Sequence, residues 1–192
     1  MNDQEIQDIP EIIPLLRSLA KEIGFDMPCD LLTGNLLRSL VVSKPGGSFL
    51  ELGTGLGFSL CWLIEGMDNN SQLTSIDNDE KLIQLVIESF ILDERVQLIC
   101  MDGALWIKDN PGNKYDLIFA DAWPGKYEQI DEVLNMLNPG GLYIIDDMLP
   151  QPNWPEGHSE KASKLISYLE NRLDLRLTKL NWSTGVIICT KV

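Results

Sequence analysis

Residues 49–59 (Phe-Leu-Glu-Leu-Gly-Thr-Gly-Leu-Gly-Phe-Ser) constrain the fold more than any other stretch of the chain. An apolar run stops at Gly53, glycines alternate at 53, 55 and 57, and an apolar helical pattern opens at about residue 59. A strand that turns through glycines into a helix begins a βαβ unit, and the missing Cβ atoms let the backbone approach a ligand closely. The dinucleotide fingerprint would need a glycine at position 58, where Phe58 stands, and no Gly-Lys-Ser/Thr follows to make a phosphate loop. Glu51 argues further against a pyrophosphate, which a carboxylate at this turn would repel. An acid here suits a ligand with positive charge, an ammonium or a sulfonium; S-adenosylmethionine carries both.

The strands that follow also end in acids. Residues 73–77 close on Asp77, twenty positions past Gly57, where a βαβ unit meets a ribose whose two hydroxyls a carboxylate can accept. The run at 95–100 leads into Asp102-Gly103-Ala104, with Asp102 able to accept from an adenine amino group. Each acid has a plainer reading: Asp77 could cap a helix starting near Asp79, and Asp102 one starting at Gly103.

Periodicity predicts helices at 5–23, 31–42, 59–66, 79–91, 103–108, 126–137 and 159–171. Strands are expected at 49–52, 73–77, 95–100, 116–120 and 142–146, with a hairpin over 173–192 around Asn181-Trp182-Ser183-Thr184-Gly185. The alternation implies an α/β, Rossmann-like, doubly wound and mostly parallel seven-stranded sheet with an antiparallel C-terminal hairpin strand and N-terminal helices. One domain over 1–192 is expected, with 1–45 a helical lid and 46–192 the core.

Asp121, Asp146 and Asp147 each follow a hydrophobic strand, so they fall on the rim where open α/β sheets bind ligands. If the two strands are neighbours, about 4.8 Å apart, the carboxylates converge on one cation. Three hard oxygens suit Mg²⁺ or Ca²⁺; the same acids could instead serve the cofactor or cap helices.

Glu51-Leu52-Gly53-Thr54-Gly55-Leu56-Gly57-Phe58-Ser59 closely resembles motif I of class I S-adenosylmethionine-dependent methyltransferases. With Ser75-Ile76-Asp77, residues 115–121 and residues 137–147, the chain looks most like the small-molecule O-methyltransferases of the catechol and caffeoyl-CoA type. The resemblance implies S-adenosylmethionine as cofactor, held at Glu51, Gly53, Thr54, Gly55, Gly57, Ser59, Asp77, Asp102, Gly103, Ala104 and Asp121. It implies a metal at Asp121, Asp146 and Asp147 that chelates a vicinal diol, and a homodimer. The family motif ends Asp-Asn where this chain has Asp146-Asp147, and its lysine base falls on Pro124; Lys126 stands two residues later.

Lys126 and His158, the only histidine, are the candidate bases, against the ordinary reading of each as a solvated side chain. Trp123, Trp154 and Trp182 are candidate acceptor walls or packing residues. A net charge of −14 speaks against a nucleic-acid substrate. Four cysteines without metal or redox spacing, an acidic N-terminus and no long apolar run suggest a cytoplasmic protein without signal peptide or membrane span. The sequence therefore points to methyl transfer to an oxygen of a small molecule. A metal-free N-methyltransferase, another adenosyl-sulfonium enzyme and a non-catalytic cofactor-binding protein remain as alternatives.

Overall fold

A computed structural model describes residues 2, 5–89, 93–152 and 154–192. Two helices, α1 (Ile13–Ile23) and α2 (Leu31–Val42), precede an alternating core. That core runs β1 (Ser48–Leu52), α3 (Phe58–Gly66), β2 (Gln72–Asp77), α4 (Glu80–Ser89), β3 (Val96–Cys100), α5 (Gly103–Asp109) and β4 (Tyr115–Ala120). It continues with α6 (Ile130–Asn135), β5 (Leu137–Ile145), α7 (His158–Glu170), β6 (Leu175–Leu180) and β7 (Val186–Lys191).

The strands form one seven-stranded sheet in the order β3-β2-β1-β4-β5-β7-β6. β1 to β5 are parallel, and β7 runs antiparallel to both β5 and β6. Strand order reverses between β1 and β4, so their carboxyl ends open a crevice between diverging connections.

The central strands are apolar on both faces because helices cover both. In β4 every residue from Leu117 to Ala120 is fully buried. Alternation sends Ile118 and Ala120 into one cluster with Trp106, Val133 and Leu165, and Leu117 and Phe119 into another with Leu37, Leu60 and Val86. Each fully buried Leu or Ile contributes roughly 1.5–3 kcal/mol. A third cluster packs Ile13, Leu16 and Ala20 of α1 against Leu56, Phe58 and Trp62, fixing the N-terminal helices over the glycine turn. No helix among the described residues is long and apolar enough to cross a membrane.

Three local expectations are corrected. The helix expected over 5–23 starts at Ile13, because Pro14, without an N–H, fits only a first turn. The helix expected over 126–137 shrinks to α6. Residues 123–128 form a tight turn in which the Trp123 carbonyl accepts from the N–H groups of Lys126, Tyr127 and Glu128. The strand expected at 142–146 begins at Leu137, with Pro139, Gly140 and Gly141 absorbed in a register shift against β4. Residues 90 and 91 of the helix expected over 79–91 lie outside the described residues.

Candidate functional site

A cavity of about 1300 Å³ occupies the crevice at the carboxyl ends of β1, β2 and β4. Its walls include Gly53, Gly55, Asp77, Asp102, Gly103 and Asp121 from the cofactor set expected on sequence. Glu51, Thr54, Gly57 and Ser59 are buried and, like the half-buried Ala104, do not line it.

Gly53 has φ 102°, and a Cβ there would stand 3.1 Å from the Asp121 carbonyl carbon, so β1 and β4 can close only around glycine. The N–H groups of Gly53 and Thr54 both donate to the Ile76 carbonyl, at 2.8 and 3.2 Å. Gly55 N–H donates to Asp77 Oδ2 at 2.8 Å, and Asp79 N–H donates to Asp77 Oδ1 at 2.9 Å. Asp77 thus fastens the glycine turn to the end of β2. Asp79, accepting from Lys81 and Leu82, caps α4 instead. Asp102 does cap α5, its Oδ1 accepting from Leu105 N–H at 3.0 Å, while it also lines the cavity.

Glu51 is fully buried beneath this turn. Ser75 Oγ donates to its Oε2 at 2.5 Å and shares a hydrogen bond with Thr54 Oγ1 at 2.6 Å; Oε1 has no partner. Burial pushes the carboxyl up to about 7 against the pull of the Ser59 and Ser75 hydroxyls.

In the same cavity, one carboxylate oxygen each of Asp121, Asp146 and Asp147 lies within 4.8 Å of the others. Asp147 is held at φ 51°, a left-handed conformation uncommon for a residue with a Cβ. Asp146 is buried, and its Oδ1 accepts no hydrogen bond. Burial, and then the neighbouring Asp146, raise Asp121 well above the carboxylate range; burial also raises Asp146. Three hard oxygens, one unmatched, fit a divalent cation. Lys126 supplies a positive charge of its own, with Nζ 4.0 Å from Asp146 Oδ1 and the side chain buried.

Aromatic groups form the adjoining wall. Trp123, Tyr127, Trp154 and His158 all face the cavity; Trp182 does not. Lys161 Nζ sits 4.0 Å over the Trp123 ring, tying α7 to the turn that carries Lys126. The segment between α1 and α2 closes the other side: Phe25 stacks on Phe58, and its ring would lie 3.2 Å from a Cβ at Gly55. Sequence reasoning missed Phe25, Cys29, Tyr127 and the hairpin residues Ser183 and Thr184 as wall residues. Nothing local marks them, because each reaches the cavity through contacts distant in the chain.

A family model described as a methyltransferase domain matches residues 50–148. A Mycobacterium avium protein with a provisional O-methyltransferase name is 30% identical over 138 residues, which are 68% of this chain and 62% of that protein. The match thus spans less than two thirds of that relative. Among solved structures, an O-methyltransferase from Bacillus cereus in complex with SAH superposes with a TM-score of 0.81 at 18% identity, over 99% of this chain and 94% of that one. The O-methyltransferase TomG from Streptomyces achromogenes, involved in tomaymycin synthesis and solved with SAM, gives 0.82 at 19% identity, over 97% and 91%. At such identities the superpositions show a shared fold.

Proposed function

The chain belongs to the methyltransferase-domain family, and from that premise we propose that it moves the methyl group of S-adenosylmethionine onto an oxygen of a small molecule, with a divalent cation held by Asp121, Asp146 and Asp147. One observation carries this reading: the glycine turn at the end of β1 and the three-carboxylate cluster meet in a single cavity.

In this reading Gly53 and Gly55 let the backbone approach the cofactor. Asp77 keeps lone pairs beyond the two that accept from the backbone, and these take the ribose hydroxyls. Asp102 receives the adenine amino group. Glu51 acts from behind, holding the turn through Ser75 and Thr54, and a cationic ligand above it would draw the buried carboxyl toward its ionised form. The cation, when bound, lowers the pKa of the acceptor hydroxyl.

Lys126, beside Asp146, takes the proton of the acceptor hydroxyl when its amine is neutral and, as the ammonium so formed, holds the oxyanion. The oxygen then attacks the methyl carbon in line, the carbon–sulfur bond breaks, and a neutral thioether leaves. Trp123 and Trp154 keep water from the reacting atoms, and the N-terminal helices α1 and α2 with the segment between them serve as a lid. A small acceptor in a cytoplasmic, homodimeric enzyme that binds no nucleic acid completes the proposal, in keeping with the net charge of −14.

A metal-free variant rests on one observation, the buried Lys126 ammonium among the carboxylates. Titrating Mg²⁺ calorimetrically into protein saturated with S-adenosylhomocysteine separates the two. Saturable heat that vanishes in Asp146→Ala supports the metal site. Cofactor binding without Mg²⁺ heat favours the metal-free route, and no cofactor binding defeats the proposal.

A further inference from the structure

His158 opens α7 inside a box of rings, its centroid 4.4 Å from Trp154, 5.2 Å from Tyr127 and 6.0 Å from Trp123. Its Nε2 lies 3.1 Å from Tyr127 Oη, and its Nδ1 is buried with no hydrogen-bond partner. A neutral imidazole has one N–H and one lone pair, so two arrangements compete. A proton on Nδ1 would bury an N–H with nothing to accept it. A proton on Nε2 leaves only a lone pair unmet, and gives the N–H to Tyr127 Oη. Orphaned buried N–H groups are the rarer and costlier case, so Nε2–H donates and Oη accepts.

The surroundings favour the neutral imidazole. Burial, then the Lys126 and Lys161 ammonium groups, lower its pKa, with Asp147 opposing. A phenol that accepts from a histidine still has its own proton to give elsewhere. Burial, then Asp147 and Asp146, push Tyr127 up to about 12, so it keeps that proton. Tyr127 faces the cavity from the same turn as Lys126.

We propose that His158 is a positioning residue that turns the Tyr127 hydroxyl toward the cavity, where it donates to the acceptor oxygen next to the one that is methylated. The inference rests on the methyl-transfer reading of the cavity. It assigns to Tyr127 the choice between two neighbouring acceptor oxygens.

Because His158 is the only histidine, a long-range ¹H–¹⁵N spectrum of the full chain labelled with ¹⁵N-histidine reports this ring alone. At pH 7 the expected result is a neutral ring protonated on Nε2, whose signal moves in Tyr127→Phe. A ring protonated on Nδ1, or an imidazolium, overturns the proposal.

The second arm is methylation of 3,4-dihydroxybenzoate with S-adenosylmethionine and Mg²⁺, read as the ratio of 3-O to 4-O product. Wild type should favour one oxygen. Tyr127→Phe and His158→Phe should bring the ratio within about twofold of unity. His158→Gln, whose amide can still donate to Oη, should keep the wild-type preference. An unchanged ratio in Tyr127→Phe overturns the proposal, as does a wild type without preference. A wild type that binds S-adenosylhomocysteine yet methylates neither oxygen defeats the methyl-transfer reading, while the tautomer still decides the His158–Tyr127 geometry.

Discussion

At the scale of single residues, the least expected arrangement is Glu51, an acid that sequence suggests as a ligand contact but that lies behind the cavity wall. Its folded pKa of about 7 stands above the ordinary value of 4.5. Between those values the folded state holds a proton that the unfolded state has released, so Glu51 makes stability fall as pH rises through this window. The shift corresponds to a loss of roughly 3 kcal/mol by pH 8. Glu51→Gln removes the titration. Urea unfolding should therefore show the variant gaining on wild type between pH 5 and pH 8, and a difference that stays flat with pH would refute the assignment. Asp77 shows how little of such detail is local. Its place at the end of a strand is readable from the hydrophobic run, but its hydrogen bond to Gly55 spans 22 positions and requires the fold.

Among the elements, the short turn at residues 123–128 decides the chemistry of the site. Helical periodicity extends the following helix back to residue 126, which would turn Lys126 toward solvent. Instead Gly125, at φ 81°, lets the chain reverse, and a Cβ there would stand 2.3 Å from Leu52 Cδ1. Lys126 is thereby sent inward to Asp146 and Tyr127 toward His158. Gly125→Ala should cost about 1–3 kcal/mol through backbone strain and overpacking. It should also weaken Mg²⁺ binding, because the turn shares its contacts with the carboxylates. Unfolding free energy within about 0.5 kcal/mol of wild type would show that the turn tolerates a side chain. By contrast α2 appears over 31–42, the span expected from sequence, because its signals are local: the Asp30 side chain caps the first turn and an apolar stripe follows.

For the whole molecule, cofactor and stability are linked. A ligand that binds only the folded state adds roughly 2.7 kcal/mol at one hundred times its Kd. For a chain of 192 residues this corresponds to a rise in Tm of roughly 5–10 °C with S-adenosylhomocysteine. NADH should give no rise, and stabilisation by NADH instead would return the chain to the dinucleotide binders. The sequence by itself determined the α/β class, the seven strands and the antiparallel hairpin, because period-2 and period-3.6 patterns, glycines and turn residues act over a few positions. It also marked the strand-end acids, since a hydrophobic run that ends in a carboxylate puts that acid on the rim. Only the tertiary structure decided which marked residues face the cavity. It buried Glu51, fastened Asp77 to Gly55, drew Lys126 to Asp146, and brought Tyr127 against His158, 31 positions away. Those outcomes depend on strand order, helix packing and a glycine at position 125 whose missing Cβ leaves room for Leu52, and no pattern of neighbouring residues encodes them.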